Sequence, residues 1–324
     1  RILETNTRTL RVARPERPIM ASPAPTDQLP QTGQIFLDHV GWFVHNIAEV
    51  ETVFGALGFP LTPYSIHGDR DLETGELKPV GTANRLAMLK GGYLEFLVRI
   101  LEGDSPAAKH LDDCLARQEG VHLAAFVVSD AEATRERLTS AGLEMMPIVN
   151  LRRTIERADG SEGEVAFTLN RPAFGQFPEG RVQCLVHHTP DDMWQDRYIA
   201  KDNGFDTLDS VWFVSDDPKA SAERLARFTG YALNEDHVGA RPAYRIDLDR
   251  GHLRFMSNAA AAEALGNTLV PAAATIAAIG FTGDPDRAFE VAEAAHVDAH
   301  RLADNATVIP AANALGTALI VRSV

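Results

Sequence analysis

The chain has 324 residues, of which 45% are hydrophobic and 23% are charged, the balance of an ordinary soluble globular protein. Its formal net charge of −14 gives it no general attraction for nucleic acids or anionic lipids, so neither partner is expected. No stretch approaches the roughly 18 apolar residues of a membrane-spanning helix, and two cysteines are too few for a secreted disulfide scaffold. These features favour a cytoplasmic protein with reduced thiols.

The N-terminal segment 1–34 shows no hydrophobic periodicity and contains five prolines. This composition predicts a disordered extension. The segment is rich in arginine but has no apolar core, so it does not resemble a secretory signal. Met20 is interpreted as the native start, which would make residues 1–19 upstream sequence.

Four similar units follow this segment, each opening with a short apolar run that predicts a strand. These runs lie at 37–44, 122–128, 208–214 and 274–281. A helix is predicted after each run, at 46–57, 131–141, 217–229 and 285–295. Matching apolar runs that begin with or near glycine close the units at 92–97, 180–186, 251–256 and 317–321. Each unit therefore reads as strand, helix and three strands, which indicates an α+β fold rather than a doubly wound parallel sheet.

The units are predicted to pair into two domains, 35–190 and 208–324, joined by a linker at 191–207. A further helix within 102–120 would connect the first two units. The linker is assigned from its proline, asparagine and glycine residues, which interrupt the apolar pattern.

Three runs of the first unit carry a resemblance to a known family. They are Leu37-Asp38-His39-Val40, Gly81-Thr82-Ala83-Asn84-Arg85 and Gly92-Tyr93-Leu94-Glu95. The pattern resembles the vicinal oxygen chelate superfamily and, within it, the glyoxalase-like domain proteins. This resemblance implies four βαβββ modules paired into two cupped mixed β-sheets, as in the glyoxalase, bleomycin-resistance and extradiol dioxygenase folds. It also implies one divalent metal per active pair of modules.

By position, the resemblance assigns the metal ligands to His39 and Glu95 in the first unit and to His122 and Gln183 in the second. Two imidazoles, a carboxylate and an amide oxygen suit a divalent metal such as Fe, Mn, Ni or Zn. Each histidine taken alone could instead be a core residue. Glu95 could instead form a salt bridge with a nearby arginine, either Arg85 or Arg99, and Gln183 could merely bind a water molecule.

The third and fourth units lack such ligands, because Ser210 and Arg254 replace His39 and Glu95. The fourth unit offers only apolar residues, namely Ile276 or Ala277 and Leu319. The C-terminal half is therefore predicted to hold no metal and to be a structural or interface module that covers the N-terminal cup.

Alternation along the fourth strands places Arg99 on the face of Glu95, and Arg181 and His187 on the face of Gln183. We expect Arg99 and His187 near the rim of the cup. With Arg85, the arginines Arg99 and Arg181 are candidates for binding anionic groups of a substrate. His187 and Glu95 are the candidates for proton transfer.

The predicted function is that of a metal-dependent lyase or isomerase, which moves a proton on a small substrate with adjacent oxygen atoms. One alternative is a non-haem Fe(II) extradiol-type dioxygenase, because two histidines and a carboxylate suit oxygen activation. The other is a non-catalytic small-molecule binding protein. A small molecule is the expected partner, and a homodimer is a possible assembly.

Overall fold

The computed structural model describes residues 28–70, 77–268, 270–271 and 274–323, which form two mixed eight-stranded sheets. The strands of the N-terminal sheet are β1 (Phe36–Val44), β2 (Ser65–Arg70), β3 (Leu77–Met88), β4 (Tyr93–Arg99), β5 (Gly120–Val127), β6 (Val149–Glu156), β7 (Glu162–Asn170) and β8 (Arg181–His187). Those of the C-terminal sheet are β9 (Phe205–Val214), β10 (Asn234–Val238), β11 (Arg241–Asp247), β12 (His252–Met256), β13 (Thr275–Gly283), β14 (His300–Arg301), β15 (Thr307–Ile309) and β16 (Ala318–Arg322).

Both sheets have the same strand order, which confirms the four-module α+β fold. The N-terminal order is β2-β3-β4-β1-β5-β8-β7-β6, and the C-terminal order is β10-β11-β12-β9-β13-β16-β15-β14. The first and fourth strands of each module are parallel neighbours, and the two first strands pair antiparallel at the centre of the sheet. The residues of these four central strands in the N-terminal sheet therefore lie closest to any site in its cup.

All of the described α-helices except α4 begin at a residue whose side chain caps the first turn. They are α1 (Ile47–Val50), which continues into a π-helical turn at Glu51–Gly55, α2 (Pro106–Leu115), α3 (Ala131–Ser140), α4 (Pro190–Met193), α5 (Pro218–Thr229), α6 (Asn258–Ala264) and α7 (Pro285–Ala294). Asp217 and Asp284 accept hydrogen bonds from the backbone amides of the first turns of α5 and α7, and each precedes a proline. No helix among the described residues is long and apolar enough to cross a membrane.

The two sheets pack against each other through one shared core. Trp42 and Val40 on β1 belong to the same buried cluster as Val211 and Phe213 on β9. The indole Nε1 of Trp42 also donates a hydrogen bond to the Leu315 carbonyl oxygen at 2.7 Å. The C-terminal half therefore lies behind the N-terminal sheet, and the prediction that it covers the N-terminal cup is wrong.

The cup of the C-terminal sheet is filled by its own chain. Helix α6 places Ala260 and Ala261 against Trp212 and Ala278, which are on the cup side of the two central strands. Small alanine side chains allow the helix to lie close to the sheet. In register, Ser210 and Arg254 occupy the positions of His39 and Glu95, as predicted.

The segment 28–34 is anchored by the buried residues Gln28 and Pro30 rather than disordered, which corrects part of the prediction for 1–34. Gln28 is fully buried, where its side-chain oxygen accepts hydrogen bonds from Arg250 Nη1 at 3.1 Å and from the Gly92 amide at 3.4 Å. Gln28 therefore links the segment before β1 to both sheets. Residues 1–27, including Met20, lie outside the described residues.

Candidate functional site

A cavity of about 720 Å³ opens into the cup of the N-terminal sheet. Its described lining comes only from residues between 39 and 193, so the C-terminal half contributes none of it. The volume is in the usual range for sites that hold small molecules. The two outermost strands of the sheet approach each other over the cup, where Arg153 Nη1 on β6 donates to Ser65 Oγ on β2 at 2.6 Å.

Two β-bulges decide which side chains face this cavity. Leu37 pairs with Phe126 and His39 with Ala125, so Asp38 is an extra residue on β1. On the partner strand, Gly41 pairs with Leu123 and Trp42 with Val121, so His122 is an extra residue on β5. Each bulge shifts the alternation of its strand by one residue.

The bulges change the predicted equivalence between the first two modules. Glu95 pairs with Gly41, and Gln183 pairs with Ala125, so Glu95 and Gln183 are equivalent as predicted. His39 lies two residues before Gly41 on β1, whereas Leu123 lies two residues before Ala125 on β5. The module equivalent of His39 is therefore Leu123, and His122 is instead the equivalent of Asp38.

His122 does not line the cavity. Its ring is 2% exposed, lies 5.3 Å from the ring of Phe43, and hydrogen-bonds through Nε2 to the Gln118 carbonyl oxygen at 2.9 Å. Burial lowers the pKa of His122 to about 4, so the imidazole is neutral at pH 7 and Nε2–H donates this bond. His122 is therefore a structural residue beneath α2.

A buried carboxylate links two histidines on separate strands. Asp38 Oδ2 lies 2.7 Å from His39 Nδ1, and Asp38 Oδ1 lies 3.0 Å from His187 Nε2. Asp38 itself is fully buried. Burial alone would raise the pKa of Asp38, but the two histidines outweigh it and hold this pKa well below its ordinary value. Asp38 is therefore ionised and accepts an N–H from each imidazole.

This contact fixes the orientation of His39. Because Nδ1–H donates to Asp38, the Nε2 atom of His39 faces the cavity, 3.8 Å from Glu95 Oε2. The ring of Tyr93 stacks on the imidazole with ring centroids 4.4 Å apart, which restricts its rotation. A carboxylate that holds one imidazole nitrogen and leaves the other free is the arrangement of a general base.

His187 is not at the rim of the cup, which corrects its predicted position. Its side chain is 1% exposed, does not line the cavity, and packs against Phe167 and Trp194. It acts on the site only through Asp38. The predicted contact with a substrate is therefore not available to it.

Glu95 lies on the cavity wall at the middle of β4, as predicted. Asn84 Nδ2 on β3 donates a hydrogen bond to Glu95 Oε1 at 2.8 Å. Burial would raise the pKa of Glu95, but His39, His67, Asn84 and Arg181 together lower it below its ordinary value. Glu95 is therefore a carboxylate at neutral pH.

The three arginines predicted to bind substrate are found in different places. Arg181 lines the cavity, where its Nη2 donates to Gln183 Oε1 at 3.1 Å. Arg85 points away from the cup and pairs with Glu51 at 2.7 Å. Arg99 donates to the carbonyl oxygens of Ile100 and Gly103 in the following loop, to that of Gly81 on β3, and to Asp112 at 3.1 Å, so it holds that loop against β3. Neither Arg85 nor Arg99 lines the cavity.

The predicted metal-ligand set is not assembled. Of its four members, His39, Glu95 and Gln183 line the cavity, whereas His122 lies outside it. The amide oxygen of Gln183 is already bound to the guanidinium of Arg181, a cation that opposes a second cation. Within the described ranges, no group of three or more His, Cys, Asp or Glu side chains could hold a metal ion. The residues present therefore do not fit the divalent metal that the superfamily typically uses.

Other side chains of the site were missed from the sequence. They are Asp38, His67, Asn84, Arg153 and Arg171, of which all but Asp38 line the cavity. His67 hydrogen-bonds through Nδ1 to Thr82 Oγ1 at 3.0 Å, and burial lowers its pKa, so it is neutral. Alternation on β3 places Asn84 on one face with Thr82 and Leu86, so this pattern could have predicted that Asn84 faces the cavity. No sequence signal points to Asp38, because a bulge decides its environment.

The comparisons with known proteins agree with this architecture. The sequence matches the profile of the glyoxalase-like domain family over residues 37–229, which is more than half of the chain. The chain therefore belongs to the glyoxalase-like domain family, within the vicinal oxygen chelate superfamily. The comparison with curated proteins gave no significant match.

Three solved structures are similar to this chain, and the first of them supports the fold. A hypothetical protein from Staphylococcus aureus has a TM-score of 0.59 and 11% identity, covering 90% of this chain and 100% of that chain. A xylose isomerase-like TIM barrel/4-hydroxyphenylpyruvate dioxygenase fusion protein has a TM-score of 0.49 and 14% identity. The match covers 95% of this chain and 52% of that chain. A mutant of 4-hydroxymandelate synthase from Streptomyces coelicolor has a TM-score of 0.46 and 15% identity. The match covers 89% of this chain and 93% of that chain. At 11% identity the first likeness concerns the fold alone, and none of the three assigns a reaction.

Proposed function

We propose that this protein is a glyoxalase-like enzyme that moves a proton on a small molecule bound in the N-terminal cavity. The observation that carries the proposal is the orientation of His39, with Nδ1 held by a buried ionised Asp38 and Nε2 facing the cavity beside Glu95. An imidazole held in this way is suited to accept a proton near neutral pH.

The chemistry follows from the charges around His39. A C–H bond next to a carbonyl group breaks, its proton passes to His39 Nε2, and its electron pair moves onto the carbonyl oxygen as an enolate. Asp38 and Glu95 stabilise the imidazolium from its two sides. Arg181 stabilises the enolate oxygen, because it is a cation that faces the same cavity from the second module. Return of the proton to another atom completes an isomerisation.

The experiment that tests this function is hydrogen–deuterium exchange in D₂O. Pyruvate, 2-oxobutyrate and 2-oxoglutarate, which carry adjacent oxygen atoms, are incubated with the protein, and loss of the C3 proton signal is followed by NMR. We expect at least one of the three acids to exchange faster than in buffer alone. Exchange at the buffer rate for all three, with a folded protein, would contradict the proposal.

A second measurement addresses the metal. Because His122 is absent from the cavity and Arg181 occupies the amide oxygen of Gln183, the proton transfer is expected to need no divalent cation. Dialysis against EDTA should leave the exchange rate and the melting temperature unchanged. Loss of exchange that returns on adding Fe²⁺, Mn²⁺, Ni²⁺ or Zn²⁺ would show that this account of the donor set is incorrect.

The incomplete ligand set also favours one alternative, a non-catalytic binding protein. Members of the superfamily that sequester small molecules lack metal ligands, and only part of the predicted set faces this cavity. The same NMR experiment separates the two functions. Saturable binding of a 2-oxo acid without exchange would support the binding protein, whereas exchange supports the enzyme.

A further inference from the structure

Three arginines line the same wall of the N-terminal cavity. Arg153 lies on β6, Arg171 directly follows β7, and Arg181 begins β8. These strands are successive neighbours at one side of the sheet. The positive charges on this wall are therefore contributed by the second module alone, opposite the His39 and Glu95 of the first.

The guanidinium groups have few hydrogen-bond acceptors of their own. Arg153 donates to Ser65 Oγ, and Arg181 donates to Gln183 Oε1. The Nε atoms of Arg171 and Arg181 are buried, and neither has a hydrogen-bond partner within the described ranges. A buried donor without an acceptor is costly, and each guanidinium carries several donors. The free N–H groups are therefore available to an acceptor that the described residues do not supply.

The charges on the cavity wall do not cancel. Glu95 is the only carboxylate among the described lining residues, against the three cations of Arg153, Arg171 and Arg181. Arg152 also reaches the lining, but it is exposed and pairs with Glu164 at 2.7 Å. The three partly buried arginines and Glu95 together leave an excess of two positive charges.

Burial makes this arrangement unfavourable without a ligand. Burial first, and then the neighbouring Arg171, lower the pKa of Arg181 to about 10, and burial also lowers the pKa values of Arg153 and Arg171. All three still carry their charge at pH 7. The chain as a whole has a net charge of −14, so its general field repels anions and the positive wall is a local feature.

We infer that this wall is a binding site for a small organic dianion, a molecule with two carboxylates or one phosphate monoester group. Two negative charges would neutralise the excess on the wall, and their oxygen atoms would accept the free N–H groups. That this dianion is the substrate rests on the proposed function. Binding itself depends on the arginines alone.

The test compares two ligands of equal size that differ by one charge. Isothermal titration calorimetry at low ionic strength and pH 7.5 measures the affinities of succinate and of its monoamide, succinamate. Inorganic phosphate serves as a dianion of different shape. We expect succinate to bind at least about tenfold more tightly than succinamate. The second carboxylate of succinate accepts charge-assisted hydrogen bonds from the arginines, which the neutral amide of succinamate cannot do.

Matched variants test whether the arginine wall causes the preference for succinate over succinamate. Arg171→Gln and Arg153→Gln should each reduce the preference for succinate by about tenfold or abolish it. Arg241→Gln removes the same charge from an exposed site on β11, where Arg241 pairs with Glu263, and should leave the preference intact. Arg171→Lys keeps the charge and should retain part of the preference. Circular dichroism melting checks that each variant is folded.

The outcomes separate this inference from the proposed function. Equal affinity for the two ligands, no binding of either at millimolar concentration, or a preference that survives both Arg171→Gln and Arg153→Gln would overturn the dianion site. The His39→Gln protein should keep the preference, since His39 is not on the arginine wall. Preference without proton exchange would support the dianion site while contradicting the proposed catalysis.

Discussion

His39→Gln should lower the rate of proton exchange by roughly 10³-fold, the loss expected when a positioned general base is removed. Glutamine keeps much of the volume of the imidazole and can still contact Asp38, but it cannot accept a proton at neutral pH. The variant should remain folded and keep its affinity for succinate. The measurement is the NMR exchange rate constant, with the dissociation constant determined separately by calorimetry.

His188→Gln provides the matched control for this change. His188 follows β8, is exposed, and contacts Thr168 Oγ1 at 2.8 Å, so it lies outside the cavity lining. Its replacement should leave the exchange rate unchanged. A His39→Gln protein that exchanges as fast as the unaltered protein would remove His39 from the mechanism, and Glu95 would then be the remaining base on the cavity wall.

Asp38→Ala should lower the free energy of unfolding by about 2–6 kcal/mol, because each of two buried N–H donors that loses its acceptor costs about 1–3 kcal/mol. The substitution leaves Nδ1 of His39 and Nε2 of His187 without their acceptor in a fully buried place. Urea denaturation measures the loss. If Asp38→Ala does not fold, Asp38→Asn keeps one acceptor and should show a smaller loss of the same sign.

Asp209→Ala is the matched control for Asp38→Ala. Asp209 occupies the same position on β9 that Asp38 has on β1, but its side chain is 34% exposed and lies 3.6 Å from His252 Nδ1. Burial raises the pKa of Asp209, so its ionised form gains no net stability from folding. Its replacement should change stability by less than about 1 kcal/mol. Equal losses in the two variants would mean that the histidine contacts of Asp38 contribute nothing.

The loss at Asp38 should depend on pH with a defined sign. The pKa of Asp38 is lower in the folded protein than the ordinary value near 4 of the unfolded chain. Its stabilisation is therefore fully present above that ordinary value and is lost as the pH falls toward the folded value. The stability difference between the unaltered protein and Asp38→Asn should be constant near neutrality and should shrink below about pH 4.

The sequence alone determined the repeat, and with it the fold. Apolar runs with period two, glycines at the ends of helices and capping residues such as Asp217 and Asp284 are local features, so the strands and helices could be predicted from them. Repetition of the same pattern fixed the pairing of modules. For the same reason Glu95 and Gln183 were correctly predicted to be equivalent, since each lies in a regular fourth strand.

The contents of the site were decided by the tertiary structure. One extra residue on each central strand, Asp38 on β1 and His122 on β5, reverses the alternation that a sequence pattern assumes. His122 is thereby removed from the cavity, and Asp38 is placed between His39 and His187, which are 148 positions apart in the chain. A bulge depends on how two distant strands pair, so no local pattern in either strand encodes it.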